Sequence, residues 1–164
     1  MRFPRLSKEL TALNSWTENE DTRYLSGEGI YEIAFTMTPE HMPEDVRWIL
    51  ELGKVAETAD VTLNNKRIGV RWMQPYDFDV TRELKKGENL LRITVTNTLH
   101  NYVAGLKPTL DLPAALKKRY QRPDQSYFLG ANAFANYDQK YPLLDSGLLG
   151  PVRLVPQGIV LFKL

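Results

Sequence analysis

The sequence predicts an all-β protein: an antiparallel, two-sheet sandwich of about eight strands, with one long, partly helical insertion over residues 98–145. Two observations carry that expectation. Between residues 47 and 97, five short segments alternate apolar and polar positions, and a period of two lines one side of a pleated strand with apolar side chains. The breaks between them are tight-turn residues, too short for the crossovers that parallel strands need.

Taken in order, residues 1–14 are a weakly patterned lead-in with partial helical spacing over 7–13. Trp16 stands in a short apolar island, followed by Glu18, Asn19, Glu20 and Asp21. That acidic run suits a solvated loop; as clustered hard oxygen ligands it also makes Glu18, Glu20 and Asp21 weak calcium candidates. Tyr31, Ile33, Phe35 and Met37 share one face of an expected strand. Pro39 and Pro43 mark the loop that follows, with His41 inside it.

In the central stretch the same-face sets are Trp48, Leu50 and Leu52; Ala59, Val61 and Leu63; Ile68, Val70 and Trp72; Tyr76, Phe78 and Val80; and Leu91, Ile93 and Val95. Arg71 falls out of phase and is expected to face outward. Asn64-Asn65 tolerates left-handed backbone angles and closes a hairpin between Leu63 and Ile68. Residues 81–86 suit a single helical turn capped by Thr81 and ended by Gly87. The segments are read as antiparallel neighbours. In the insertion, residues 112–120 (LPAALKKRY) have helical spacing, with Pro113 in the first turn. Lys117, Lys118 and Arg119 then complement the dipole at the helix end. Tyr127, Phe128, Phe134, Tyr137 and Tyr141 supply rings to cover an open side of the sandwich. Residues 152–155 and the apolar residues 159–164 close the chain, the latter needing burial or a strand partner.

A length of 164 residues fits a single domain over residues 1–164. The formal net charge of +1 gives no field to draw nucleic acid. There is no cysteine for disulfides, thiol chemistry or metal. The first residues hold no apolar stretch of a secretory signal, and no apolar run approaches a membrane span. Glycoside hydrolysis needs two carboxylates roughly 5 to 9.5 Å apart. Asp77 and Asp79 are a same-face pair, but that face is the polar one, and Asp79 is placed to accept hydrogen bonds from the turn at Thr81. His41 and His100 lie in unrelated loops without a G-x-S-x-G serine. No glycine-rich phosphate loop occurs. No catalytic set, metal set beyond the weak calcium candidates, or cofactor is expected.

Several motifs occur together: LELG at residues 50–53, V-x-LNN-x-x-x-G at 61–69, and PYDFDVT-x-x-LK-x-GEN-x-L-x-I-x-V-x-N at 75–97. SWT at 15–17 and YLSGEGIYE at 24–32 precede them, and SGLLGPVRL at 146–154 follows. In that order they resemble the sugar-binding jelly-roll domain of family 2 glycoside hydrolases, whose fold is that of galactose-binding domains. A similar module ends many large bacterial glycoside hydrolases, including family 106 α-L-rhamnosidases. The resemblance implies a non-catalytic accessory module that packs on a catalytic domain and contacts sugar. The alternatives are a self-sufficient carbohydrate-binding module and, least favoured, a glycosidase in its own right. In the family the catalytic carboxylates sit on a separate barrel domain. The chain is therefore expected to be a fragment of a longer bacterial enzyme, periplasmic or extracellular, whose signal would lie outside it. Sugar needs an aromatic platform and planar polar side chains. Arg71, Trp72, Gln74 and Tyr76 border one bend, and Asn97, His100, Asn101 and Tyr102 follow the last central strand; these are the carbohydrate-binding candidates. Trp72 and Tyr76 are equally in phase with the apolar faces, which suits core or interdomain packing.

Overall fold

The computed structural model describes residues 7, 9–43, 45–105 and 142–158. Among them the strands run β1 (Glu28–Met37), β2 (Val46–Glu51), β3 (Lys54–Ala56), β4 (Thr58–Leu63), β5 (Lys66–Arg71), β6 (Asp77–Asp79), β7 (Gly87–Thr96), β8 (Gly147–Gly150) and β9 (Arg153–Gly158). One six-residue helix, α1 (His100–Gly105), follows β7. A four-stranded sheet in the order β1-β7-β4-β5 faces a three-stranded sheet, β6-β2-β9, and β3 pairs with β8 at one end. Every strand pair is antiparallel. The all-β sandwich predicted from alternation is the fold observed.

The alternation works best where both neighbours of a strand are present. Central β4 buries Ala59, Val61 and Leu63 at 0, 0 and 2% exposure, and β7 buries Leu91, Ile93 and Val95 at 4, 3 and 0%. From the facing sheet Trp48, Leu50, Phe78 and Val80 close the same core, joined by Leu52 and Tyr76. Sequence neighbours, however, are mostly not sheet neighbours. Among the central segments the β4–β5 hairpin is the one consecutive pair; β5 to β6 and β6 to β7 each cross from one sheet to the other. Short connections thus carry the chain across the sandwich. The strand β3 was not anticipated: it is three residues long, too short to show a period.

The hairpin turn is built as its residues dictate. Asn64 and Asn65 have φ of 53° and 64°, the pair of left-handed angles that a two-residue turn requires. Asn64 also ties the turn to the next connection, because its amide donates to the Glu83 carbonyl at 2.7 Å and to Asn89 Oδ1 at 2.9 Å. Its own Oδ1 accepts from the Leu90 N–H at 3.1 Å.

The third same-face set fails for a definable reason. Val61 pairs with Gly69 and Thr62 with Arg67, so Ile68 is an extra residue, a β-bulge. A one-residue slip moves every later side chain to the other face. Ile68 still packs on the core, but Val70 now sits opposite Asp60 on the outer face and is exposed. Arg71 sits opposite Ala59, in phase with the core. Its guanidinium carbon lies 5.4 Å from the centre of the buried Phe78 ring, a cation–π geometry. Arg71 is exposed, but it leans over the open rim of the core and does not point away from it.

Three further expectations change. Residues 81–83 form a turn, not a helix, with Glu83 and Leu84 N–H both donating to the Val80 carbonyl at 3.1 and 3.0 Å. Asp79 is what caps it, accepting from the Thr81 N–H at 3.1 Å and the Thr81 hydroxyl at 2.6 Å. Residues 9–13 carry no helix. Ile33, in phase with Phe35 and Met37, is 57% exposed. The expected helix over 112–120 with its basic end, the five rings from Tyr127 to Tyr141 and the apolar residues 159–164 lie outside the described residues.

Trp16 proves to be a plug. Its indole N–H donates to the Tyr31 hydroxyl at 2.6 Å, and that oxygen also accepts from the Leu148 N–H at 3.0 Å. A Cβ at Gly29 or at Gly147 would come within 2.3 Å of the indole. Both positions are glycine because the ring is laid flat between two backbones.

Replacing Asn65 with valine puts a β-branched residue at a left-handed angle, which costs about 1 to 2 kcal/mol. The melting temperature should fall by several degrees; an unchanged value would contradict the turn.

Candidate functional site

The two segments named for sugar binding meet at one end of the sandwich, joined through Glu57. The Tyr76 hydroxyl donates to the Glu57 carbonyl in a short hydrogen bond, and the Glu57 N–H donates to the Thr96 carbonyl at 3.2 Å. Tyr76 is 6% exposed and belongs to the core. Burial, with help from the Glu57 charge, pushes its hydroxyl pKa up, so it stays a neutral donor. Trp72 behaves oppositely. After the bulge has shifted the phase, the chain leaves the sheet at Arg71, and Trp72 and Met73 stand out at 70% and 55% exposure. Gln74 beside them is exposed too.

In the second segment the polar groups are occupied. The Asn97 amide donates to the Leu25 carbonyl at 2.8 Å and to Ser146 Oγ at 2.6 Å, and its oxygen accepts from the Gly27 N–H at 2.9 Å. Asn101, 3% exposed, pairs with the backbone of Leu144 like a strand neighbour, donating at 2.8 Å and accepting at 2.9 Å. The His100 Nε2 lies 2.9 Å from the Pro142 carbonyl. Tyr102 on α1 is half-buried. Asn97, His100 and Asn101 therefore stitch together the two ends of the connection between β7 and β8. Ser146 was not anticipated as a centre: it also bonds Ser15, whose Oγ accepts from the Ser146 N–H at 3.1 Å, and its carbonyl accepts from the Trp16 N–H at 2.9 Å.

Away from that end, beside the start of β2, a groove of about 470 Å³ is lined by Arg47, Arg67, Ile68, Asp79, Thr81, Arg82 and Glu83. Arg47 pairs with Asp79 at 2.7 Å, and Arg67 grips Asp60 with contacts of 2.8 to 3.1 Å. The Thr81 hydroxyl, then Arg47, holds the Asp79 carboxyl down at about 2. Asp79 thus accepts hydrogen bonds from the turn at Thr81, as expected of it, and from Arg47 as well. No group of three or more His, Asp or Glu among the described residues stands close enough to hold a metal ion. In the acidic loop, the Asn19 side-chain oxygen is taken by the Asp21 N–H at 3.2 Å.

Fold and site together define a β-sandwich whose one end is locked by side-chain amides and presents exposed hydrophobic side chains. The chain belongs to the glycosyl hydrolase 2 galactose-binding domain-like family, whose model matches residues 10–128. It is 36% identical over 155 residues to a protein of Formosa agariphila named "Putative beta-glucuronidase", covering 87% of this chain. The rhamnosidase of Novosphingobium sp. PP1Y superposes with a TM-score of 0.71 at 30% identity, over 95% of this chain. The chain spans 13% and 14% of the lengths of these two proteins.

Two outcomes follow from the geometry. Asn97→Ala strands the Gly27 N–H and the Leu25 carbonyl and should destabilise the fold by about 1 to 3 kcal/mol, read by urea unfolding. The Asp79 ion is favoured in the folded state, so its contribution is complete above the ordinary carboxyl value of 3.8 and fades as pH falls towards about 2. The stability gap between the wild type and Asp79→Asn should be widest at neutral pH and should narrow towards pH 2 in thermal melts.

Proposed function

We propose that this chain is a non-catalytic module of a longer glycoside hydrolase, packing its Trp72 end against the catalytic part and contacting carbohydrate there. The observation that carries this is Trp72 itself, 70% exposed on a segment anchored by Tyr76 in the core and by Arg71 over Phe78. A large ring held out by a fixed backbone suits either a sugar face or an apolar neighbour. Met73, Leu99, Val103, Leu144 and Tyr24 are likewise exposed. They fall in two groups at that end: Met73 beside Trp72, and the others around α1, where Tyr24 lies against Gly105 and Leu144 is bonded to Asn101. Exposed apolar surface in both groups favours packing over a free-standing sugar platform.

The polar groups left for sugar are Arg71, Gln74 and Tyr102, because Asn97 and Asn101 are committed to the backbone. So few donors around one ring give weak affinity, since each hydroxyl must shed water first. Family membership and coverage of about one-seventh of the rhamnosidase support a parent enzyme. The isolated chain should show no turnover of aryl α-L-rhamnosides, β-galactosides or β-glucuronides. NMR titration with rhamnose, galactose and glucuronate should give shifts around Arg71 to Gln74. No shifts would favour pure packing, millimolar or tighter binding by the isolated chain would favour a self-sufficient module, and shifts confined to Glu20 or the residues 117–119 would overturn the site.

A further inference from the structure

The two edges of the four-stranded sheet are treated differently. Edge β5 carries Lys66 and Arg67 and is broken by the bulge at Ile68, the devices that keep an exposed edge from pairing. Edge β1 has none of them. It is ten residues long, EGIYEIAFTM, without lysine, arginine or proline, and pairs without interruption from Glu28–Thr96 to Met37–Gly87. Its other side has no strand partner among the described residues. Such an edge is a template for a further strand.

The side chains point the same way. Ile33 is in register with Leu91, which is 4% exposed, yet Ile33 itself is 57% exposed. An inward-phase isoleucine has lost its cover because the sandwich stops there: three strands face four. On the outer face Ile30 is 61% exposed, and Leu90, opposite Ala34, is 43% exposed.

We infer that β1 is a docking edge for one extended segment of the longer polypeptide, apolar where it covers Ile33 and neutral or basic where it lies beside Glu28; Glu32 is already paired with Arg92. This rests on the reading of the chain as one module of a longer enzyme; 86% of the matching rhamnosidase chain lies outside the module (100 − 14). Charge disfavours a second copy in that place. β1 has no cation, and Arg92 of β7 is already paired with Glu32, so a copy of β1 brings nothing to offset Glu28.

Hydrogen–deuterium exchange tests it, comparing the isolated 164-residue chain with the longer protein that contains it. The β1 amides not bonded to β7 should exchange at least about tenfold more slowly in the longer protein. Ile33→Lys should leave the melting temperature of the isolated chain nearly unchanged and abolish that protection. Equal rates in both proteins would overturn the inference. So would protection in the isolated chain that rises with concentration alongside a dimer in sedimentation, or full protection in the isolated monomer. The segment around Trp72 is read in the same experiment: slowing there without slowing at β1 would sink this inference and leave the proposed packing intact, and slowing in neither would sink both.

Discussion

The layer between β4, β7 and the facing sheet cannot be wetted, and the rest of the molecule is arranged around that constraint. Ala59, Val61 and Val95 have no solvent-accessible surface at all. They are smaller than the Trp48, Phe78 and Tyr76 rings that meet them from the other side. Small residues in the middle strands and large ones opposite let two twisted sheets interdigitate at native density. The buried polar side chains Ser15, Asn89, Asn101 and Ser146 each spend their hydrogen bonds on backbone or on other side chains.

Much of this was legible in the sequence. Strands with neighbours on both sides obey a period of two because each alternate side chain has a dry layer waiting for it. That is why the period of two holds residue by residue in β4 and β7, each flanked by two strands. Strand β5 could not be read this way. Its composition, Ile68, Val70 and Trp72 at even spacing, fits a clean alternation; the bulge depends on pairing with β4, which no local signal reports. Local spacing therefore puts Arg71 on the wrong side and puts Trp72 in phase with a core or interdomain face, whereas Trp72 stands 70% exposed.

The candidate site shows the same boundary between local and non-local information. Asn97, His100 and Asn101 carry the side chains a sugar needs, and equally the side chains a backbone needs. An amide presents one donor end and one acceptor end, as a peptide group does. Whether it serves Leu144 or a hydroxyl is decided by a residue some forty positions away. Ser146 and Glu57 were missed for the same reason: each matters for what the chain brings beside it. The exposed Trp72 was among the named residues, but its direction comes from the bulge before it and the buried Tyr76 after it.

The paired bonds from Asn101 to Leu144 and the contact of His100 with Pro142 hold the two ends of residues 106–141 together at the sandwich. That clasp fixes where the chain leaves the sandwich and where it returns. Closure entropy changes by only about 0.6 kcal/mol for each doubling of length, so the position of exit and return depends on the clasp bonds far more than on how many residues lie between them.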